Sequence, residues 1–120
     1  QRAVPLSVAE RAEAESAPGV TPAALQRFTV GSTALRPGAR IDVAFAAALR
    51  AAPGERFWIT VVDAGAADSA WGTYEYVPAG ARHIQLTAPA KPGDYEVRLH
   101  GNYPTKATNL VHRVAIRIED

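Results

Sequence analysis

From Gln26 onward, polar and apolar residues alternate in short runs that turn-forming residues break roughly every 8 to 15 positions. No other feature constrains the fold as much. An amphipathic helix needs apolar positions three and four apart, whereas a period of two with frequent turns fits strands that bury one face. The chain has 120 residues, 48% hydrophobic and 21% charged, which is room for one sandwich, and no run approaches the roughly 20 apolar residues a membrane helix needs.

The strands can be placed one by one. Phe28 and Val30 mark the first, and Leu35-Arg36-Pro37-Gly38 reads as a turn. Ile41, Val43 and Phe45 share one face of the second strand, and Ala46 to Ala52 reads as its end and a loop before Pro53-Gly54. Arg56 to Asp63 has Thr60 as the one polar residue between its charged ends, the pattern of a central strand covered on both sides. A short strand over Thr73–Val77 shows Tyr74 and Tyr76 on one face, and Arg82–Thr87 sets Ile84 and Leu86 against His83 and Gln85. Tyr95, Val97 and Leu99 face inward with Glu96, Arg98 and His100 opposite, and Leu110–Glu119 places His112, Val114, Ile116 and Ile118 on one face.

Residues 1–25 break this pattern and read as an N-terminal arm or linker. Ser7 and Glu10 have capping-box spacing, and Ala9–Ser16 consists mostly of helix formers, enough for one or two turns. With 13 basic and 12 acidic side chains the net charge is +1, too small a field to hold a phosphate backbone, so nucleic acid is not an expected partner. The absence of cysteine excludes disulfides and thiolate metal sites. The absence of methionine suggests a piece of a larger precursor, such as a mature N-terminus at Gln1 after signal-peptide removal, and hence a periplasmic or extracellular location.

The segment Pro92-Gly93-Asp94-Tyr95-Glu96-Val97-Arg98-Leu99 looks like a tyrosine corner, in which a Tyr near the start of a strand packs down and its hydroxyl satisfies a backbone group. Immunoglobulin domains with a disulfide carry Cys two positions after that Tyr, where this chain has Val97. Trp58 would match the family's core tryptophan, while the alternation of Phe57, Ile59 and Val61 could place those three inward instead. Residues Arg56 to Leu99 resemble bacterial immunoglobulin-like accessory domains related to the SKICH-type sandwich. The resemblance implies an immunoglobulin-like antiparallel β-sandwich of about seven strands, with a binding or scaffolding role and no catalytic residue.

Residues that could carry chemistry are few. His100 and His112 flank the connection between the last two strands, but strand parity puts His100 on the outer, solvated face and His112 on the inner one, so a shared metal site would need a bulge. Asp63 and Asp68 could share a cation across a loop, although turn capping explains them better. Ser7, Ser16, Ser32 and Ser69 lie in no nucleophile pattern, so no enzymatic activity and no cofactor are expected. Two surfaces remain. Trp71, Tyr74, Tyr76 and Tyr103 could offer rings to a protein or, as a flat row of Trp71, Tyr74 and Tyr76, to a sugar. The nine residues Gly101–Asn109 form a long loop whose Asn102, Tyr103, Lys106 and Asn109 have the composition of a paratope. The expectation is a protein-binding or self-assembling module that uses this loop first, with carbohydrate binding as the alternative.

Overall fold

The computed structural model describes residues 20–120. Eight strands follow in chain order: β1 (Phe28–Val30), β2 (Ala34–Leu35), β3 (Arg40–Leu49), β4 (Arg56–Asp63), β5 (Tyr74–Val77), β6 (Ala81–Thr87), β7 (Gly93–Tyr103) and β8 (Leu110–Ile118). They form a three-stranded sheet, β1-β3-β6, and a five-stranded sheet, β2-β8-β7-β4-β5, packed face to face. The fold is an all-β sandwich of two sheets. One pairing departs from the expected antiparallel pattern: β2 runs parallel to β8, with Ala34 opposite Arg117 and Leu35 opposite Ile118. Two residues are too few to show alternation, so this strand reads as part of the Pro37-Gly38 turn in the sequence.

The core lies between the sheets and follows the period of two. Ile41, Val43 and Phe45 of β3 face Phe57, Ile59 and Val61 of β4 and Tyr95, Val97 and Leu99 of β7, with Ile116 and Ile118 closing one side. Ile41, Ile59, Val97 and Leu99 have no exposed surface. Each buried aliphatic side chain of this kind contributes roughly 1.5–3 kcal/mol of hydrophobic stabilisation. The tyrosine corner is formed: the Tyr95 hydroxyl donates to the Lys91 carbonyl at 2.6 Å.

Trp58 is absent from this core. Phe57, Ile59 and Val61 point inward, so the opposite parity carries Trp58 and Thr60 to the outer face of the five-stranded sheet. The open question of strand phase is thus answered against a central core tryptophan.

The helix expected over Ala9–Ser16, with its Ser7–Glu10 cap, lies outside the described residues. Within the stretch assigned to the arm, Thr21 is buried and stitched to the end of β3. Its hydroxyl donates to the Ala48 carbonyl and accepts from the Arg50 N–H, both at 2.8 Å, and its own N–H donates to the Arg50 carbonyl at 3.0 Å. A short 3-10 turn, Ala23–Leu25, then leads into β1. No helix among the described residues is long and apolar enough to cross a membrane.

Candidate functional site

The outer face of β4, β5 and β7 is where polar and aromatic side chains gather. Alternation predicts that Glu96, Arg98 and His100 are solvated there, and the structure corrects this for the last two: Arg98 and His100 have no exposed surface. The loop between β4 and β5 covers Arg98, while Trp58, and Asn109 at the end of the β7–β8 connection, lie against His100. Arg98 donates to the carbonyls of Ala67 at 2.6 Å and Ala66 at 2.9 Å and pairs with Glu96 at 2.9 Å. Thr60 pins the same loop further along, donating to the Thr73 carbonyl at 2.8 Å and accepting the Gly72 N–H at 2.9 Å. The fit at Gly72 is close enough that a Cβ would lie 2.7 Å from the Val61 carbonyl oxygen. A side chain there would displace the loop.

His100 stacks on Trp58, with ring centroids 4.3 Å apart and planes 9° from parallel. Its Nδ1 accepts the Asn109 N–H at 3.0 Å, which makes it the neutral imidazole with its proton on Nε2. Burial, then the charge of Arg98, lowers its pKa, partly offset by Asp68. The Nε2 of His100 and the Nε1 of Trp58 are buried with no hydrogen-bond partner among the described residues. Two N–H donors thus lie unsatisfied beneath the aromatic surface.

Above that floor lies a groove of about 450 Å³, walled by Trp71, Tyr74, Tyr76 and Tyr103, with Ser69 and Thr108 at its rim. Trp71 is 65% exposed and Tyr74 and Tyr76 about 40%. Neighbouring rings meet edge to face: Trp71 and Tyr74 at 5.7 Å and 87°, Tyr74 and Tyr76 at 5.6 Å and 80°, and Trp58 and Tyr74 at 6.0 Å and 82°. The ring of Tyr74 stands nearly perpendicular to those of Trp71 and Tyr76, a favourable quadrupole geometry, so the three do not form the flat row expected of a sugar platform. The Arg56 guanidinium sits 4.5 Å over the Tyr76 ring.

Tyr103 reaches the groove because of a bulge. Along β7, Tyr95, Val97, Leu99 and Gly101 alternate inward, so continued alternation would turn Tyr103 inward too. The register with β4 shifts between the Trp58–His100 and Arg56–Tyr103 pairs, and Asn102 adopts a left-handed φ of 61°. The extra residue re-aims Tyr103 outward, 5.7 Å from Tyr76. The Tyr76 hydroxyl beside it raises the Tyr103 pKa, which keeps the phenol a neutral donor.

The paratope-like loop is shorter than expected. Gly101, Asn102 and Tyr103 belong to β7, which leaves residues 104–109 as the connection. Asn102 and Asn109 are engaged within the protein. The Asn109 amide donates to the Asn102 side-chain oxygen at 2.6 Å, and the Asn102 amide donates to Glu55 at 3.0 Å. Hydrogen bonds from Thr105 and Asn102, then the charge of Lys106, hold the Glu55 carboxyl below its usual pKa. Lys106 closes a turn on the Asn102 carbonyl at 2.8 Å and does not line the groove, whereas Ala107 and Thr108 do. The two surfaces read separately from the sequence are therefore one site, joined through Tyr103, with the asparagines as its clasp.

The histidines stay apart. A second bulge, between the Leu99–His112 and His100–Leu110 pairs, leaves His112 facing the core, 5.0 Å from Phe28, and His100 outside against Trp58. Asp68 lies 3.6 Å from Arg113, and no group of three or more His, Cys, Asp or Glu converges to hold a metal among the described residues.

No protein-family model matches this chain, and no curated protein sequence matches it.

Proposed function

We propose that this domain is a non-enzymatic protein-binding module, an accessory domain or a subunit of a larger assembly, whose contact surface is the aromatic groove on β4, β5 and β7. The observation that carries this reading is the convergence of five aromatic side chains, Trp58 at the floor and Trp71, Tyr74, Tyr76 and Tyr103 at the walls, on one groove of about 450 Å³, with Trp71 65% exposed. Tryptophan and tyrosine dominate the energetics of protein contacts because they bury large area at small entropic cost and keep a polar tip. The Tyr103 phenol, its pKa raised by Tyr76, is a neutral donor, and Arg56 provides the adjacent cation. Among the described residues, the lining of the groove is aromatic, hydroxyl-bearing or alanine, with no carboxylate or imidazole.

Carbohydrate binding is the weaker reading, because the perpendicular rings give no stacking platform. The test is affinity capture with the wild-type chain and with Trp71→Ala/Tyr76→Ala. Loss of a specific protein partner by the variant, with its sheet structure intact by circular dichroism, is the expected result. Unchanged capture would remove the groove from the contact surface, and glycan binding lost with the same substitutions would replace the protein reading by the sugar one.

A further inference from the structure

We infer that the groove takes a proline-rich segment of the partner in the polyproline II conformation, with an acidic residue next to it that meets Arg56. The inference rests on the groove being the contact surface. Its first support is the shape of the lining. The Tyr74 ring stands at 87° to Trp71 and at 80° to Tyr76, with centroids 5.7 and 5.6 Å apart, and Tyr103 lies 5.7 Å from Tyr76 at a tilt of 41°. Rings set at an angle leave a notch between the face of one and the edge of the next. Two such notches, at Trp71–Tyr74 and at Tyr76–Tyr103, are joined by the Tyr74–Tyr76 step, so their centres lie within roughly 11 Å, against about 9 Å for one three-residue turn of polyproline II. Prolines three positions apart therefore fall into successive notches, where the pyrrolidine rings rest on aromatic faces.

Hydrogen-bonding capacity is the second support. Trp58 and Trp71 contribute indole N–H groups, which can only donate, and the Nε1 of Trp58 has no acceptor among the described residues. The remaining polar atoms of the lining are uncharged hydroxyls. The complementary ligand is rich in acceptors and poor in donors. Polyproline II meets that description, because its carbonyls have no internal partners and proline has no N–H. A helix bonds its carbonyls internally, and an added β-strand brings N–H groups that need acceptors of their own.

Charge sets the flank. Arg56 is exposed and lies 4.5 Å over the Tyr76 ring. Glu55, its neighbour in sequence, is engaged by Asn102 at 3.0 Å and lies near the charge of Lys106. Asp68, next to Ser69 on the rim, is paired with Arg113 at 3.6 Å. The cation at the Tyr76 end is thus the one offered to a ligand, and a carboxylate beside the proline segment meets it.

The full chain is panned against a displayed library of random peptides, and the enriched sequences are synthesised and titrated by calorimetry. Peptides with prolines three positions apart and an Asp or Glu beside them are the expected result. Their affinity should fall at least about tenfold on Trp71→Ala, and equally when alanine replaces the peptide prolines. Trp71 is 65% exposed, so its truncation leaves the core intact, as circular dichroism will verify. Arg56→Gln should weaken the same peptides several-fold at low salt and less at high salt. Groove-dependent peptides without prolines, or no groove-dependent peptide at all, would overturn the inference, and proline peptides indifferent to Arg56→Gln would overturn its acidic flank. If it fails while Trp71→Ala/Tyr76→Ala still abolishes partner capture, the functional reading stands without it. Proline peptides bound through the groove, with partner capture indifferent to those substitutions, would remove the functional reading instead.

Discussion

The two faces of the five-stranded sheet are made by the same strands, yet they are held by different physics. On the inner face, Ile59, Val97 and Leu99 have aliphatic neighbours and gain stability from area removed from water. On the outer face, Thr60, Arg98 and His100 are just as buried, but their stability depends on hydrogen bonds to two loops that have to be in place, β4–β5 for Thr60 and Arg98 and β7–β8 for His100. The apolar face needs shape alone. The polar face needs shape and a partner for each donor, and at Trp58 Nε1 and His100 Nε2 it lacks one. The aromatic groove is built on this second, more conditional layer.

The largest expected effect is on the inner face. Ile59→Ala deletes buried methyl groups from a position with no exposure, so it should cost about 4 kcal/mol in chemical denaturation, as lost transfer energy plus a cavity. The groove should retain its tryptophan emission. A loss below about 1 kcal/mol would mean that the two sheets are not tightly packed there.

Next comes Arg98→Ala on the outer face, with an expected loss of about 3 kcal/mol, because it removes the donors to Ala66 and Ala67 and leaves Glu96 with only its longer pair to the exposed Arg113. Here the mechanism separates the faces. Arg98→Met/Glu96→Gln, which removes both charges, should recover part of the stability but not the loop, so the Trp71 emission should differ from wild type even where the denaturation midpoint has returned. If emission and stability recover together, the loop does not depend on its two hydrogen bonds to Arg98.

These two faces also differ in how far the sequence discloses them. Alternation locates the inner face strand by strand, and Tyr95 with its hydroxyl bond to Lys91 follows the pattern quoted from residues 92–99. Trp71, Tyr74, Tyr76 and Tyr103 stand out as aromatics beside loops. Their assembly into one groove is not legible, because it depends on a bulge at Asn102 that reverses the parity of Tyr103. The burial of Arg98 and His100 is hidden for a related reason. Parity says which side of a sheet a residue occupies and is silent about a loop folding over that side. Asn102 and Asn109 match a binding loop in composition, whereas their amides are committed to each other and to Glu55. Gly72 offers a cue in retrospect, since a loop that must approach a strand backbone needs a glycine at the contact.

A smaller effect tests the corner that ends the loop before β7. Tyr95→Phe keeps the buried ring and removes the 2.6 Å hydrogen bond to the Lys91 carbonyl, so the expected cost is about 1 kcal/mol with no change in tryptophan emission. A cost near zero would show that water replaces the hydroxyl at that carbonyl.

The smallest effect is set by pH, and it places one histidine on each face. Burial, followed by the charge of Arg98, lowers the pKa of His100, while burial and Arg27 lower that of His112 against a smaller opposing contribution from the Phe28 backbone. In the unfolded chain both titrate near their ordinary value of about 6.5. Between that value and the lower folded values the unfolded state binds more protons, so stability rises with pH through this window and is lost as pH falls below about 6.5. Thermal midpoints should therefore be level above neutrality and fall on mild acidification, before the carboxylates titrate. His112→Leu should remove the inner contribution and leave the outer one. What remains belongs to His100, whose Nδ1 cannot accept the Asn109 N–H once protonated. Tryptophan emission in His112→Leu should consequently change over the same acidic range, because protonation at His100 disturbs both its stack on Trp58 and the clasp at Asn109. Emission that stays constant while the midpoint falls would place the titration elsewhere, and the outer face would then be less conditional than its hydrogen bonds imply.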